Sequence, residues 1–462
     1  MAGLLADYGV TAVFGVPGGQ TLPLYYGILD EGNRIRHILM KDEIDATFAA
    51  DAYARISGGI GVCDATAGCG AIKFISGLAE AYNTSIPVIA IGSEMEGDWL
   101  AARYRGTGSQ VVDSKEVLKP VTKWQADLPH VNKMPELVQT AAQMAVSGRP
   151  GPVFIECPWR PFREEYTGPD YESNRKLASL PAHRPTPSRD EIDEAIQVLK
   201  EAKRPVMLLG GGAWRSGARA EITALAERMA MPAAASLTGK GVLPENHPLS
   251  LGVVGSLGGN DVSRKMVEEA DVIAIGFKFS QNSTYGWTIP RKGQKEIRID
   301  IDETEMNKLH TTDVGLVGDA KATLQLLLDR LDAQRDPTAV EKEIAKLYRA
   351  WREKNRPAVE ADDCITPQRV VSLLNELCGD DTILACDASF SCGWAGSFFD
   401  VYGARRTILP RGAGGLGYGL PAGIGAAAAR PGNKAVVLTG DGGLNYCLGE
   451  MAVLHEQNMD VK

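Results

Sequence analysis

The chain has 462 residues, 44% of them hydrophobic and 23% charged, with a formal net charge of −9. That length allows about three domains, and the composition is that of a globular protein. The acidic balance argues against non-specific binding to nucleic acid or an anionic membrane; no apolar run reaches bilayer length, and Met1 opens no signal peptide.

Residues 2–6 already look helical, so a start further upstream is expected. A first block, residues 1–165, alternates strands and helices. Residues 11–16 read as an apolar strand ending in Pro17, Gly18 and Gly19, and residues 38–40 as a brief second strand. A helix is expected over 43–56, with Phe48, Ala49, Ala52 and Tyr53 on its buried side. Residues 60–64 form a strand that runs into Ala67, Gly68, Cys69 and Gly70, and 88–91 and 152–156 are further buried strands. Such alternation implies a parallel sheet with helices on both faces and ligands beyond the carboxyl ends of the strands, where both glycine turns fall. Residues 166–188 are rich in proline and charge and read as a surface linker.

A second α/β block covers 189–333. A strand at 205–209 runs into Gly210, Gly211 and Gly212; later strands are 271–275 and 296–301, the last ending in Asp300 and Asp302, and Asp319 opens a terminal helix. Glycines after one strand and acids at the end of another suit a nucleotide, yet the pattern is short of a full GxGxxG, and a retained fold with an empty cleft fits equally. Residues 334–364 are a charged connector holding a helix over 340–355 and then Pro357.

The third block, 365–462, opens with a helix over 368–377 and a strand over 382–386. Residues 411–419 carry five glycines (Gly412, Gly414, Gly415, Gly417, Gly419), too many for a packed helix. They suit a backbone wrapped closely round a ligand, and Leu416 and Tyr418 among them weigh against a flexible linker. A helix follows over 421–429. Then comes an apolar, β-branched strand at 435–439, the turn Gly440, Asp441, Gly442, Gly443, and a helix over 444–457 with Leu444, Leu448, Met451 and Leu454 at helical spacing. Glycine admits close backbone approach, a helix start favours a diphosphate, and Asp441 is a hard oxygen ligand for Mg²⁺ or Ca²⁺; taken alone, Asp441 serves equally as a cap. The eight cysteines form no CxxC pair and the six histidines share no motif, so reduced, buried thiols in a cytoplasmic protein are expected and a histidine metal centre is not.

Three α/β blocks carrying these motifs in this order resemble the thiamine diphosphate (ThDP) enzymes of the acetolactate synthase type, along almost the whole chain. The matching phrases are Val16-Pro17-Gly18-Gly19, Lys41-Asp42-Glu43 with Phe48 to Arg55, Ala65-Thr66-Ala67-Gly68-Cys69-Gly70 (Cys69 where proline is usual), Ser147-Gly148-Arg149-Pro150-Gly151-Pro152-Val153, Gly415-Leu416-Gly417-Tyr418-Gly419-Leu420-Pro421-Ala422 and Gly440-Asp441-Gly442. The resemblance implies three doubly wound domains: pyrimidine-binding, central Rossmann-like, and a diphosphate-binding one incomplete at its end. It implies a ThDP- and Mg²⁺-dependent decarboxylation of a 2-oxo acid and joining to a second carbonyl compound, with 2-oxo acids or aldehydes as substrates. Glu43 would hydrogen-bond the cofactor's pyrimidine and so help remove the thiazolium C2 proton, its pKa raised by apolar neighbours. Leu416 would bend the cofactor, Asp441 would hold Mg²⁺ on its diphosphate, and Gln110 falls where the family has an active-site glutamine. Lys123 matches a family lysine that reads equally as a surface charge. A homodimer or homotetramer is implied, with the glutamate and the diphosphate site facing each other across a subunit interface.

The sequence also departs from that pattern. The family's Asn-Asn metal-binding pair would fall a few residues past Lys462, so a truncated sequence with weak or absent ThDP binding is expected. Asp42 and Ile44 replace the usual His and Gln beside the glutamate, Phe390-Ser391-Cys392 replaces a Gln-His-Gln run, Leu257 replaces a His, and Lys278 an Arg. These changes weigh on pyruvate as substrate and leave FAD, ADP or an empty central cleft open. A simple 2-oxo acid decarboxylase or C–C lyase, and a non-catalytic assembly subunit, stand as alternatives.

Overall fold

The strands of the first block are short and apolar on both faces, so each face needs cover. The computed structural model, which describes residues 1–95, 108–361 and 364–462, shows how that cover is provided. Strands β1 (Ala12–Val16), β2 (Arg36–Leu39), β3 (Gly61–Ala65), β4 (Val88–Glu94), β5 (Trp124–Asp127) and β6 (Val153–Pro158) form a parallel sheet in the order β2-β1-β3-β4-β6-β5. Val13, Val62 and Ile89 pack on one face with Leu24 and Ile28. Phe14, Cys63 and Ala90 pack on the other with Ala46, Ala49 and Tyr53. The order turns back between β1 and β3, where Val16 lies in register with Ala65. Open parallel sheets place their ligand crevice at such a reversal. Pro17–Gly19 and Thr66–Gly70 both start there. The strand at 124–127 has no counterpart in the sequence reading, because Trp-Gln-Ala-Asp at a half-buried sheet edge carries neither an apolar run nor a clear alternation.

In residues 183–409, strands β7 (Pro205–Leu209), β8 (Ala233–Ala235), β9 (Ser250–Val253), β10 (Asp271–Ile275), β11 (Glu296–Asp300) and β12 (Val314–Val317) form a second parallel sheet, ordered β12-β11-β10-β7-β8-β9. This is a doubly wound order whose reversal lies between β7 and β10. Three alanines make β8, and β9 and β12 each carry a glycine, so none of the three shows the branched run that marks a strand. The connector helix spans Thr338–Val359 and runs two residues past Pro357. It is not a loose tether: Ile344 is buried in the core of this sheet. In the third block, β13 (Ile383–Cys386) precedes the short β14 (Arg406–Ile408), and β13 pairs in parallel with β15 (Ala435–Leu438).

The chain divides into two compact units: Met1–Ala182 with Ile383–Ala388 and Pro410–Lys462, and His183–Thr382 with Ser389–Leu409. Most of the third block thus joins the first block. The linker, residues 166–188, is more ordered than expected, since it contains the 3₁₀ turn Arg175–Ala178 and buries Ala178. Six cysteines are buried and form no disulfide; Cys69 and Cys364 are exposed. Among the described residues no helix is long and apolar enough to cross a membrane.

Two helices depart from the sequence reading. The Glu43–Ser57 helix, capped by Asp42 and ended by Gly58 at φ +72°, is buried on nearly every side. Its outer side is covered by the Gly419–Ala429 helix, against which a Cβ on Gly425 would lie 2.2 Å from the Ala49 carbonyl oxygen. On the sheet side, a Cβ on Gly61 would lie 2.0 Å from the Ala50 carbonyl. The expected helix over 444–457 is broken instead into Asp441–Tyr446, a 3₁₀ turn at Leu448–Glu450, and Met451–Glu456. Its buried side is Gly443, Cys447, Glu450 and Val453; Leu448 and Met451 are exposed. The apolar spacing thus held only in part: Leu454 packs against the core, while the other inward contact is a carboxylate, Glu450, holding backbone amides.

The helix contact makes a prediction. In an open helix Gly→Ala would gain about 1 kcal/mol, while forcing a methyl into a closed contact costs about 1–3 kcal/mol. At Gly425 the clash should win. Gly425→Ala is expected to lower the urea midpoint, and a midpoint equal to or above that of the parent would show that the two helices are not in close contact.

Candidate functional site

At the crevice between β1 and β3, glycines are required by close approach. A Cβ on Gly18 would sit 2.2 Å from Thr66 Oγ1, and one on Gly68, which has φ +62°, would sit 2.1 Å from the Gln110 carbonyl oxygen. No protein atom lies within 4 Å of the corresponding Cβ position on Gly19. Thr21 closes the turn after Pro17: its Oγ1 donates to the Gly18 carbonyl at 2.9 Å and accepts from the Gly18 amide at 3.0 Å. Thr66 Oγ1 donates to Gln20 Oε1 at 2.8 Å, and Gln20 Nε2 donates to Gln110 Oε1 at 3.1 Å. Gln110 itself has the left-handed backbone of φ +61°. Gln20 and Thr66 were not foreseen, since a glutamine and a threonine in loops carry no pattern of their own.

Glu43 opens its helix at the same edge and is buried, 7% exposed. Its Oε1 would lie 3.1 Å from a Cβ on Gly70. Its surroundings are less apolar than expected. Lys73 Nζ donates to Glu43 Oε2 at 2.8 Å and to Asp42 Oδ2 at 2.6 Å. Burial pulls the Lys73 pKa down, but these two hydrogen bonds outweigh it and hold the ammonium above its usual value. Asp42 therefore serves as helix cap and as second anchor for that lysine.

The third block meets this helix at three places. A Cβ on Gly415 would lie 3.2 Å from Phe48 Cζ. Further on, Glu450 Oε1 accepts the backbone amides of Lys41 at 2.8 Å and Asp42 at 3.1 Å. A third contact, past Phe48 along the helix, is a buried polar network: Tyr418 OH donates to Asp51 Oδ2, Arg55 Nε donates to the same oxygen at 2.7 Å, and Arg55 Nη2 reaches Glu80 Oε1 at 3.2 Å. Burial lifts the Tyr418 phenol well above its usual pKa, so it stays a donor. Its ring meets Phe48 edge to face, 5.1 Å between centroids.

Asp387 joins the glycine loop to the Gly440–Gly443 turn. It accepts the amides of Gly417 and Gly419 on Oδ2, each at 3.1 Å, and a Cβ on Gly443 would lie 2.7 Å from its Cγ. Asp387 also escaped the sequence reading, because it ends an ordinary-looking strand. Leu416 is 46% exposed. Gly440 and Gly442 have no protein atom within 4 Å of a Cβ position, and Asp441 is exposed at the start of its short helix. A cradle of unencumbered glycines with one free-standing carboxylate fits a diphosphate and its Mg²⁺, an ion that takes one or two carboxylates and completes its shell with phosphate and water. Among the described residues no group of three or more His, Cys, Asp or Glu could hold a metal by itself.

The central-block residues are placed differently. A Cβ on Gly210 would lie 1.9 Å from the Gly276 carbonyl oxygen, and one on Gly212 would lie 3.0 Å from Gly276 Cα. Packing across the β7/β10 reversal therefore requires those two glycines; a Cβ on Gly211 would meet the flexible end of Arg215 and, at 3.4 Å, Thr238 Cβ. Asp319 caps its helix through the Ala322 amide and also binds Arg184 and Ser216. Asp300 accepts the Asp302 amide, and Asp302 caps the turn at Glu303–Glu305. The Lys278 carbonyl accepts from Ser280 and Ser283.

Comparison with known proteins agrees with this geometry. Three family models match: thiamine pyrophosphate enzyme, N-terminal TPP binding domain over residues 1–117, central domain over 192–327, and C-terminal TPP binding domain over 387–462. The chain is 35% identical to an acetolactate synthase of Arthrospira platensis, over 99% of this chain and 79% of that protein. It is 35% identical to a probable acetolactate synthase large subunit of Methanocaldococcus jannaschii, over 98% and 77%. It is 34% identical to a probable 2-ketoarginine decarboxylase of Pseudomonas aeruginosa, over 98% and 78%. The chain belongs to the thiamine pyrophosphate enzyme family. Within it, the protein is a ThDP-dependent enzyme of the acetolactate synthase type, acting on small molecules.

Asp45, two residues on from Glu43, faces Glu450. Burial, the Glu450 charge and a hydrogen bond to it push the Asp45 pKa up to about 9, opposed by Lys73. Burial raises Glu450 as well. The folded protein thus keeps a proton on Asp45 up to about pH 9, whereas the unfolded chain releases it near about pH 4, so stability should fall as pH rises across that window. Asp45→Asn is expected to flatten that slope in urea denaturation followed from about pH 5 to about pH 8. Parallel slopes for parent and variant would remove Asp45 as the titrating group.

Proposed function

We propose that the protein decarboxylates a 2-oxo acid and joins the remaining fragment to a second carbonyl compound, using ThDP and Mg²⁺. The observation that carries this reading is Glu43: a buried carboxylate at the crevice of the first sheet, on the helix that also meets the glycine loop. Pro17, Gly18, Gly19 and Gly68 would line the pyrimidine end of the cofactor. Gly415, Gly440, Asp441, Gly442 and Gly443 would take its diphosphate, with Asp441 on Mg²⁺. ThDP supplies the nucleophilic carbon and the electron sink.

The chain's own residues then have separate tasks. Lys73 fixes Glu43 Oε2, which leaves Oε1 to share a proton with the pyrimidine nitrogen. Leu416 stands out from its loop and would set the bend of the cofactor. Gln110, fixed by Gln20, would orient substrate beside Gly68. Burial of the Glu43 helix keeps water from the proton-sharing oxygen.

The similarity to a decarboxylase, at nearly the same identity as to the synthases, supports a second reading in which no acceptor is joined. Product analysis with and without an added aldehyde or 2-oxo acid separates the two. We place the protein in the cytoplasm as a homodimer or homotetramer; the cysteines without disulfides and the exposed Leu416, Tyr446, Leu448 and Met451 support this. FAD is left as a question for the purified protein's absorption spectrum, since packing already requires Gly210 and Gly212.

Calorimetric titration with ThDP and Mg²⁺ into the chain extended to the full length of its relatives tests the proposal. Saturable binding is expected, weakened at least about tenfold by Asp441→Ala, while Glu43→Gln should keep binding and lose about 10²–10⁴-fold in turnover. Undiminished turnover in Glu43→Gln would remove Glu43 from the chemistry, and absence of binding would end the enzyme reading.

A further inference from the structure

Glu80 sits in the Ile75–Thr84 helix and is fully buried. Sequence reading gave it no role. Its carboxylate receives four consecutive backbone amides of the glycine loop. Arg411 donates to Oε1 at 2.9 Å, Gly412 to both oxygens at 2.9 Å, and Ala413 and Gly414 to Oε2 at 2.8 and 3.1 Å. Successive amides turned to one point form a nest for an anion, and here the protein provides the anion itself. The fit is close. A Cβ on Gly412 would lie 2.5 Å from the Glu80 carbonyl oxygen, and Gly414 has φ +68°.

The loop is held again further along, by Asp387 at Gly417 and Gly419. Gly415 and Leu416 lie between the two carboxylates. Leu416 projects from the loop, partly exposed. Arg55 links the first clamp to Asp51 and so to Tyr418, within the same loop. We propose that Glu80 is a positioning residue: by fixing residues 411–414 it sets the direction of Leu416. This rests on the reading of Leu416 as the residue that shapes the cofactor; the clamp itself does not depend on it.

Glu80→Gln keeps the size but turns a donor toward donors, so at least one amide loses its acceptor. Glu80→Asp keeps the charge and shortens the reach. Hydrogen exchange of the protein without added cofactor is the first readout. Exchange at residues 411–416 should rise about tenfold or more in Glu80→Gln and less in Glu80→Asp, with Gly419 little changed. The second readout is made with ThDP and Mg²⁺. Glu80→Gln should lower kcat about tenfold and alter the near-UV circular dichroism of the bound cofactor as Leu416→Ala does, with KM and ThDP affinity within about threefold of the parent. Exchange at 415–416 unchanged in both variants would overturn the proposal, as would raised exchange with kcat and the dichroism intact. If the parent binds no ThDP, the functional reading fails and exchange at Leu416 alone decides whether Glu80 directs it.

Discussion

Carboxylates out of water, with backbone amides as their partners, hold the first unit together. Glu80, Asp387 and Glu450 each accept amides from a segment distant in sequence or across a turn. Amides in glycine-rich loops have no helix or sheet partner, and leaving them buried and unbonded would cost about 1–3 kcal/mol each. A carboxylate answers several at once, and charge-assisted bonds are about twice as strong as neutral ones. The loop can then stay free of side chains where a cofactor must approach and still hold one shape.

The same economy shows in the helix that carries Glu43. It is lined by alanines: Ala46, Ala49, Ala50, Ala52 and Ala54 are all buried. Small side chains let the sheet approach on one side and the Gly419–Ala429 helix on the other. Its few large groups are placed where the site needs them, with Phe48 against Gly415 and Tyr418, and Tyr53 against Phe14. Polar residues within it are paired: Asp51 with Arg55 and Tyr418, and Glu43 with Lys73.

Much of this was legible in the residues. Apolar runs located β1, β3, β4, β6, β7, β10, β11, β13 and β15, and the glycine turns after β1 and β3 fell at the crevice they pointed to. Short strands without branched residues, such as β8, were invisible, since their strand character comes from neighbours already in place. The partners that complete the site were invisible for a related reason. Glu80, Asp387 and Lys73 look like any charged residue until the fold brings amides or a carboxylate to them. The 441–456 segment was legible only in part, because Leu454 packs inward while Leu448 and Met451 at the same spacing are exposed.

The close seat of the Gly419–Ala429 helix on the Glu43–Ser57 helix bears on how the protein is made. The covering helix is translated some 360 residues after the helix it covers. At about 5–20 residues per second, the outer alanine face waits roughly 20–70 s on the ribosome before its partner emerges. A face of small side chains is a mild hazard during that interval, since it offers little apolar surface for a chance neighbour to grip. The alanines that permit tight packing in the finished protein thus also keep the nascent chain from sticking to itself.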